Sequence, residues 1–135
     1  MTTKQQKLFV RLSRLAVQSK PALQTGRSFH VAFGVHQGHV IALGYNNYFK
    51  TSPSTTMYTK DSGRYFPKTH AESDLIRKLR KCDVSPSKIT ILVVRVGSGN
   101  KMALSKPCAN CSHRLGLNQY KHVWFSSGEA TFEKL

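Results

Sequence analysis

Leu8, Phe9, Leu12, Leu15 and Ala16 recur at the three- and four-residue spacing of a helix, and Pro21 lies just beyond, so residues 4–19 read as an amphipathic first helix. Ser28–Val35 and Val40–Tyr45 are rich in β-branched and aromatic residues and flank His36-Gln37-Gly38-His39, a pattern that predicts an antiparallel hairpin. No period runs through Asn46–Thr69, where Tyr48, Phe49, Tyr58, Tyr65 and Phe66 are scattered among prolines, glycine and basic residues. A patternless stretch of that length in a compact domain is usually functional or disordered, and here it reads as a flap. His70–Lys81 reads as a second helix, with Leu75, Ile76 and Leu79 on its inner stripe. Lys88–Val96 is a buried strand, Gly97–Lys101 a tight turn and Met102–Ser105 a short extended piece. Pro107 opens a third helix over Cys108–Leu117, and His122–Ser126 forms the closing strand. A helix, a hairpin, then helix-strand-helix-strand predicts a mixed α/β sheet covered by helices, in a single domain over residues 1–135.

Charge adds a partner class. Lys and Arg total 21 against six Asp and Glu, a formal excess of +15 that favours an anionic partner such as a nucleotide phosphate or single-stranded nucleic acid. Within that excess, the run Arg77-Lys78-Leu79-Arg80-Lys81 is accounted for as the solvated face of the second helix. No apolar run approaches the roughly 20 residues of a membrane span, and the amino terminus lacks the apolar core of a secretory signal. The basic, acid-free first helix imitates an organelle transit peptide, yet a domain this short needs it as structure. Three cysteines are too few and too odd in number for a disulfide framework, so the expectation is a soluble protein of the reducing cytoplasm whose thiols bind metal or react.

Two fragments, His70-Ala71-Glu72 and Pro107-Cys108-Ala109-Asn110-Cys111, hold the most suggestive chemistry. Zinc prefers tetrahedral nitrogen and thiolate ligands, and a catalytic zinc has three of them with a fourth position left for water. The two-residue gap between Cys108 and Cys111 lets both sulfurs face one ion, and a helix start after Pro107 lowers their pKa values through its positive end. His70 supplies the nitrogen. Glu72 is then close enough to reach the water without being a ligand, which outlines a hydrolytic site.

These residues resemble the signature of the cytidine and deoxycytidylate deaminase superfamily, H-x-E followed by P-C-x-x-C. Gly44-Tyr45-Asn46 is similar to the element that many members use to hold the sugar, so the resemblance covers roughly residues 28–126. It implies a cytidine deaminase-like three-layer α-β-α fold, with a mixed sheet of four or five strands opened by an antiparallel hairpin. It also implies one zinc per chain on His70, Cys108 and Cys111, and hydrolytic deamination of cytosine in a nucleoside or nucleotide. Glu72 would shuttle protons from the attacking water to the ring nitrogen and the departing ammonia, Asn46 would bind the ribose or deoxyribose, and Ala71 is counted among the substrate contacts. Among the flap cations Lys50, Lys60, Arg64 and Lys68, the last two are nearest in sequence to the metal and are expected to meet a substrate phosphate.

Alternatives stand beside this reading. The same charge fits a deaminase acting on cytosine or adenine within single-stranded RNA or DNA, although the interval from Glu72 to Pro107 is longer than in compact editing members. A non-catalytic nucleic-acid-binding protein with a structural zinc would take His113 as a fourth ligand. The residues after Cys111 lack the arginine-glutamine pair of free-nucleoside cytidine deaminases, and the Gly-Tyr-Asn element is closer to deoxycytidylate-type enzymes. Few residues follow the last strand, leaving a four-stranded sheet or an edge that a second subunit covers in a homo-oligomer. Asn46 and Asn47 serve equally well as turn residues, Cys82 as a plain thiol, and His30, His36, His39 and His122 as structural or solvent-facing groups.

Overall fold

The computed structural model describes residues 1–19, 29–46, 70–97, 99 and 101–135. Helix α1 spans Thr3–Ser19; strands β1 (Phe29–His36) and β2 (His39–Tyr45) form the hairpin; α2 covers Ala71–Leu79. Strand β3 (Thr90–Val96) leads through β4 (Met102–Ala103) to α3 (Ala109–Leu117), β5 (His122–Gly128) and β6 (Thr131–Lys134). The sheet runs β2-β1-β3-β5-β6, with β4 paired to the end of β3. All neighbours are antiparallel except β3 and β5, which are parallel and joined through α3. No helix among the described residues is long and apolar enough to cross a membrane.

The sequence of β3, Thr-Ile-Leu-Val-Val-Arg-Val, is apolar on both faces because both faces are covered. Ile91 and Val93 join Ala32, Val123 and Phe125 under α2 and α3, which contribute Leu75, Ile76, Leu79 and Leu115. Leu92, Val94 and Val96 face the other way, with Phe29, Val31, Phe33 and Val35, against Phe9, Leu12 and Ala16 of α1. Three layers result, as expected. The stripe of α1 is narrower than its sequence suggests: Leu15 is 46% exposed, and Ser13 is buried instead, its hydroxyl donating to the Phe9 carbonyl at 2.9 Å. Such a back-bond within the helix lets a serine enter the core without an unmet donor.

Among the described residues the sheet has six strands, not four or five. Strand β6 folds back on β5, placing Phe132 edge-on to Phe9 at 5.3 Å, so the chain covers this side of β5 itself. Its four residues carry a single large apolar side chain, and its turn places Ala130 at φ 54° without the glycine or asparagine that normally marks such a position. The β1–β2 turn is the opposite case. Gln37 and Gly38 have φ of 52° and 78°, the two positive values of a two-residue hairpin turn whose twist matches the strands.

Helix α2 begins against β2. A Cβ placed on Gly44 would strike the Ala71 carbonyl and would lie 2.5 Å from the Leu75 amide nitrogen. Asp74 ties the same contact from the helix side: its carboxylate accepts from the Tyr45 amide at 3.1 Å and pairs with Arg77 at 2.7 Å and Lys78 at 3.0 Å. Burial alone would raise the Asp74 pKa, but these partners hold it below the usual carboxylate value. Gly44→Ala should therefore cost about 3 kcal/mol, the upper end for overpacking, because backbone rather than a pliable side chain must move. Gly116→Ala meets nothing within 4 Å on α3 and should instead stabilise by up to about 1 kcal/mol through helix propensity. Thermal unfolding of the two variants reads the contrast, and equal melting temperatures would contradict it.

Candidate functional site

The loop entering α3 is fastened before it reaches the cysteines. The buried Ser105 hydroxyl donates to the Val93 carbonyl at 2.6 Å, lies 2.8 Å from the Ser126 hydroxyl and accepts from the Ser126 amide at 2.9 Å. The Ser105 amide in turn donates to the Ser126 carbonyl at 2.9 Å. These bonds pin the chain at the carboxyl ends of the parallel pair β3 and β5, the position where open α/β sheets form their crevices. Three residues later Cys108 caps α3.

His70 and Cys108 are both helix N-caps. His70 (φ −83°, ψ 150°) precedes α2 and Cys108 (φ −64°, ψ 166°) precedes α3, so the positive ends of two helices converge on them. The Cys108 sulfur accepts from the Cys111 amide at 3.4 Å. His70 Nδ1 lies 3.2 Å from Cys111 Sγ and 3.7 Å from Cys108 Sγ, and the three ligand atoms all fall within 4.8 Å of one another. A tetrahedral ion with ordinary Zn–N and Zn–S bonds separates such ligands by roughly 3.5 Å. The donor set therefore fits zinc in both chemistry and span, with Nδ1 the nitrogen that faces the sulfurs. Arg114 of α3 donates to the Ser73 hydroxyl of α2 at 2.5 Å, and at the far ends of the two helices Arg80 donates to the Asn118 side chain at 2.9 Å.

Glu72 is 5% exposed and lines a cavity of about 180 Å³ with His30, Asn46, His70, Ala71, Ser105, Lys106 and Cys108. Burial raises its pKa, opposed in part by a hydrogen bond from the Cys111 thiol and by the charge of His70. The Cys111 thiol also bonds to Cys108, and that bond is the largest cause drawing the Cys108 pKa down to about 4, helped by His70 and the Cys111 amide. Cys111, donating that bond and buried, moves well above 9.0. Burial would lower His70, but its hydrogen bond to the Cys108 sulfur and that sulfur's charge raise it overall. Within the cluster, negative charge is thus favoured on the Cys108 sulfur over that of Cys111.

Asn46 lies in the cavity wall, only 3% exposed, its Oδ1 accepting from the His30 amide at 2.9 Å while its own amide donates to the His30 carbonyl at 3.2 Å. Arg64, Lys68, Lys50, Lys60 and Asn47 lie outside the described residues, as does all of the expected flap beyond Asn46. His113 is exposed on α3 and stands apart from the ligand cluster, so it does not close the site as a fourth ligand there. Cys82 is a half-buried thiol directed at the Lys78 carbonyl at 3.7 Å. His30, read from sequence as structural or solvent-facing, lines the cavity, as do Ser105 and Lys106, which sequence reasoning missed. His30 arrives because its strand pairs it with Arg95 near the end of β3, a register that no local pattern reveals.

Zinc binding must displace the Cys111 proton, and the His70 proton wherever that group is protonated. Zinc affinity should therefore fall about tenfold or more per unit as pH is lowered from 8 to 5, while Cys108 contributes nothing to this slope down to about pH 4. Competition with a chromophoric chelator across that range measures it, and an affinity independent of pH would contradict the assignment of the protons.

No protein-family model matches this chain, and no curated protein matches it. Among solved structures, the dCMP deaminase of the cyanophage S-TIM5 in its apo form matches with a TM-score of 0.58 and 19% sequence identity, over 94% of this chain and 86% of that one. The same phage enzyme in complex with dCMP and dUMP matches with a TM-score of 0.59 and 20% identity, over 93% of this chain and 82% of that one. The chain thus shares the fold of these deaminase structures, and it positions a histidine and two cysteines to hold a metal ion.

Proposed function

We propose that this protein is a zinc-dependent hydrolase that deaminates the cytosine base of a nucleotide, with dCMP as the leading substrate. The observation that carries the reading is Glu72: in a chain with six acidic residues, one is buried in a cavity wall two residues after His70 and beside the His70, Cys108 and Cys111 cluster. A buried carboxylate costs free energy that a purely structural ligand cluster does not require. The structural neighbour with bound dCMP and dUMP supports the choice of nucleotide.

His70, Cys108 and Cys111 would hold the zinc, which supplies the Lewis acidity that makes water a nucleophile near neutral pH. Glu72 takes a proton from the attacking water and passes protons to N3 of the ring and to the leaving amine, so that cytosine and water become uracil and ammonia. Its raised pKa suits a group that must both accept and return a proton. The cavity, at about 180 Å³, is smaller than a typical pocket for a whole drug-sized ligand and suits the base alone. Asn46, fixed by its two bonds to the His30 backbone, is assigned to the sugar, and Ala71 to the wall against which the ring lies. Arg64 and Lys68 are assigned to the phosphate.

Glu72→Gln should keep its zinc while turnover of dCMP, followed by ammonia release, falls by roughly 100- to 10,000-fold. Turnover close to wild type would end the mechanistic reading. Deoxycytidine, adenine nucleotides and single-stranded oligonucleotides in the same assay test the choice of base and substrate form. Arg64→Ala or Lys68→Ala should lower efficiency on dCMP about tenfold and leave deoxycytidine unchanged, the effect of losing a charge-assisted hydrogen bond. Equal losses on both substrates would remove the phosphate role.

A further inference from the structure

A second concavity, of about 800 Å³, lies apart from the site above. It lies between α1, the tip of the β1–β2 hairpin and the entry to β3, and its rim includes Lys4, Lys7, Arg11 and Lys88. His30 lines the candidate active-site cavity on β1 and Val35 lines the groove near the other end of that strand, so the two sites are about 17 Å apart along it. None of the described residues lining the groove is acidic. Among the described residues Lys4, Lys7, Arg11 and Lys88 enter no ion pair, since the ion pairs that form join Asp74 to Arg77 and Lys78.

We infer that this groove is a binding site for the phosphate backbone of a single-stranded nucleic acid. Lys4, Lys7 and Arg11 recur at spacings of three and four residues, which places three groove cations in one row about 10 Å long on α1. Lys88 lines the same groove at the entry to β3, and Gln5 and Gln37 add neutral donors. A linear array of cations around a concave channel matches a linear polyanion that is flexible enough to follow it; duplex DNA, with a persistence length of about 50 nm, is too stiff to do so. A lipid surface fits less well, because α1 directs Phe9, Leu12 and Ala16 into the core and keeps no apolar face to insert. The other flank of α1 is already engaged, with Gln6 donating to the Ala130 carbonyl at 2.8 Å. The site is independent of the proposed reaction: it would hold a strand whether or not that strand is a substrate.

The test is fluorescence anisotropy of a labelled mixed-sequence 20-mer single strand with the zinc-loaded full chain, over 50–200 mM salt. If the four groove cations each meet a phosphate, the slope of log affinity against log salt should be about −3. The variant Lys7→Gln/Arg11→Gln/Lys88→Gln should bind at least tenfold more weakly at 50 mM salt, with a slope shallower by about 2. A control of equal charge loss, Lys101→Gln/Lys121→Gln/Lys134→Gln, removes exposed cations outside the groove and should change affinity less than threefold. Equal losses in both variants would assign binding to net charge and overturn the inference. Tighter binding to a duplex of the same length, or a groove variant that loses affinity only for vesicles containing anionic lipid, would overturn it as well.

Discussion

The first turn of α2 rests on the bare backbone of Gly44, and the positions of His70 and Glu72 follow from that contact. A helix that approaches a strand so closely leaves no room for a side chain between them, so its start is fixed against the end of β2. The Asp74 carboxylate and the Tyr45 amide fasten the same point with a hydrogen bond. His70 and Glu72 are therefore carried by the best-anchored turn of the helix, while the Ser105 and Ser126 bonds hold the start of α3 from the opposite side. Two separately fixed helix starts bring a nitrogen and two sulfurs to the span of one ion, a pre-organisation that a site on free loops would lack.

The electrostatics of this junction are balanced rather than uniformly attractive. Burial opposes charge on Glu72, Cys108 and His70 alike, and the groups offset the cost by sharing protons: the Cys111 thiol serves both the Cys108 sulfur and the Glu72 carboxylate. Two helix N-termini add positive potential where a thiolate resides. The excess of +15 lies elsewhere in the molecule as well, on the exposed cations of α1 and around the groove, well away from the cavity. One acid-poor chain thus buries a carboxylate beside its candidate metal ligands.

What could be read from the sequence was whatever local spacing controls. The apolar run of β3, the stripe of α2 and the pairs His70/Glu72 and Cys108/Cys111 all declare themselves within a few residues, and the structure brings the three ligand residues together. The misses share a cause, which is dependence on distant partners. Strand β6 owes its existence to pairing with β5 and to Phe132 meeting Phe9, not to its own four residues. Ser13 is buried and Leu15 exposed because the sheet, not the helix, decides where the stripe ends. His30 enters the cavity by strand register, and Gly44, legible in sequence as part of a sugar-binding element, is required by the helix packed on it.

The central claim is that His70, Cys108 and Cys111 hold one metal ion with a position open to the Glu72 cavity, and cobalt(II) substitution tests it most directly. In the Glu72→Gln protein, which should not consume substrate, the account predicts thiolate-to-cobalt charge-transfer bands and the d–d absorption of a four-coordinate ion. It also predicts that the d–d bands shift when dCMP is added. A spectrum without thiolate bands, or one that saturating dCMP leaves unchanged, would contradict it.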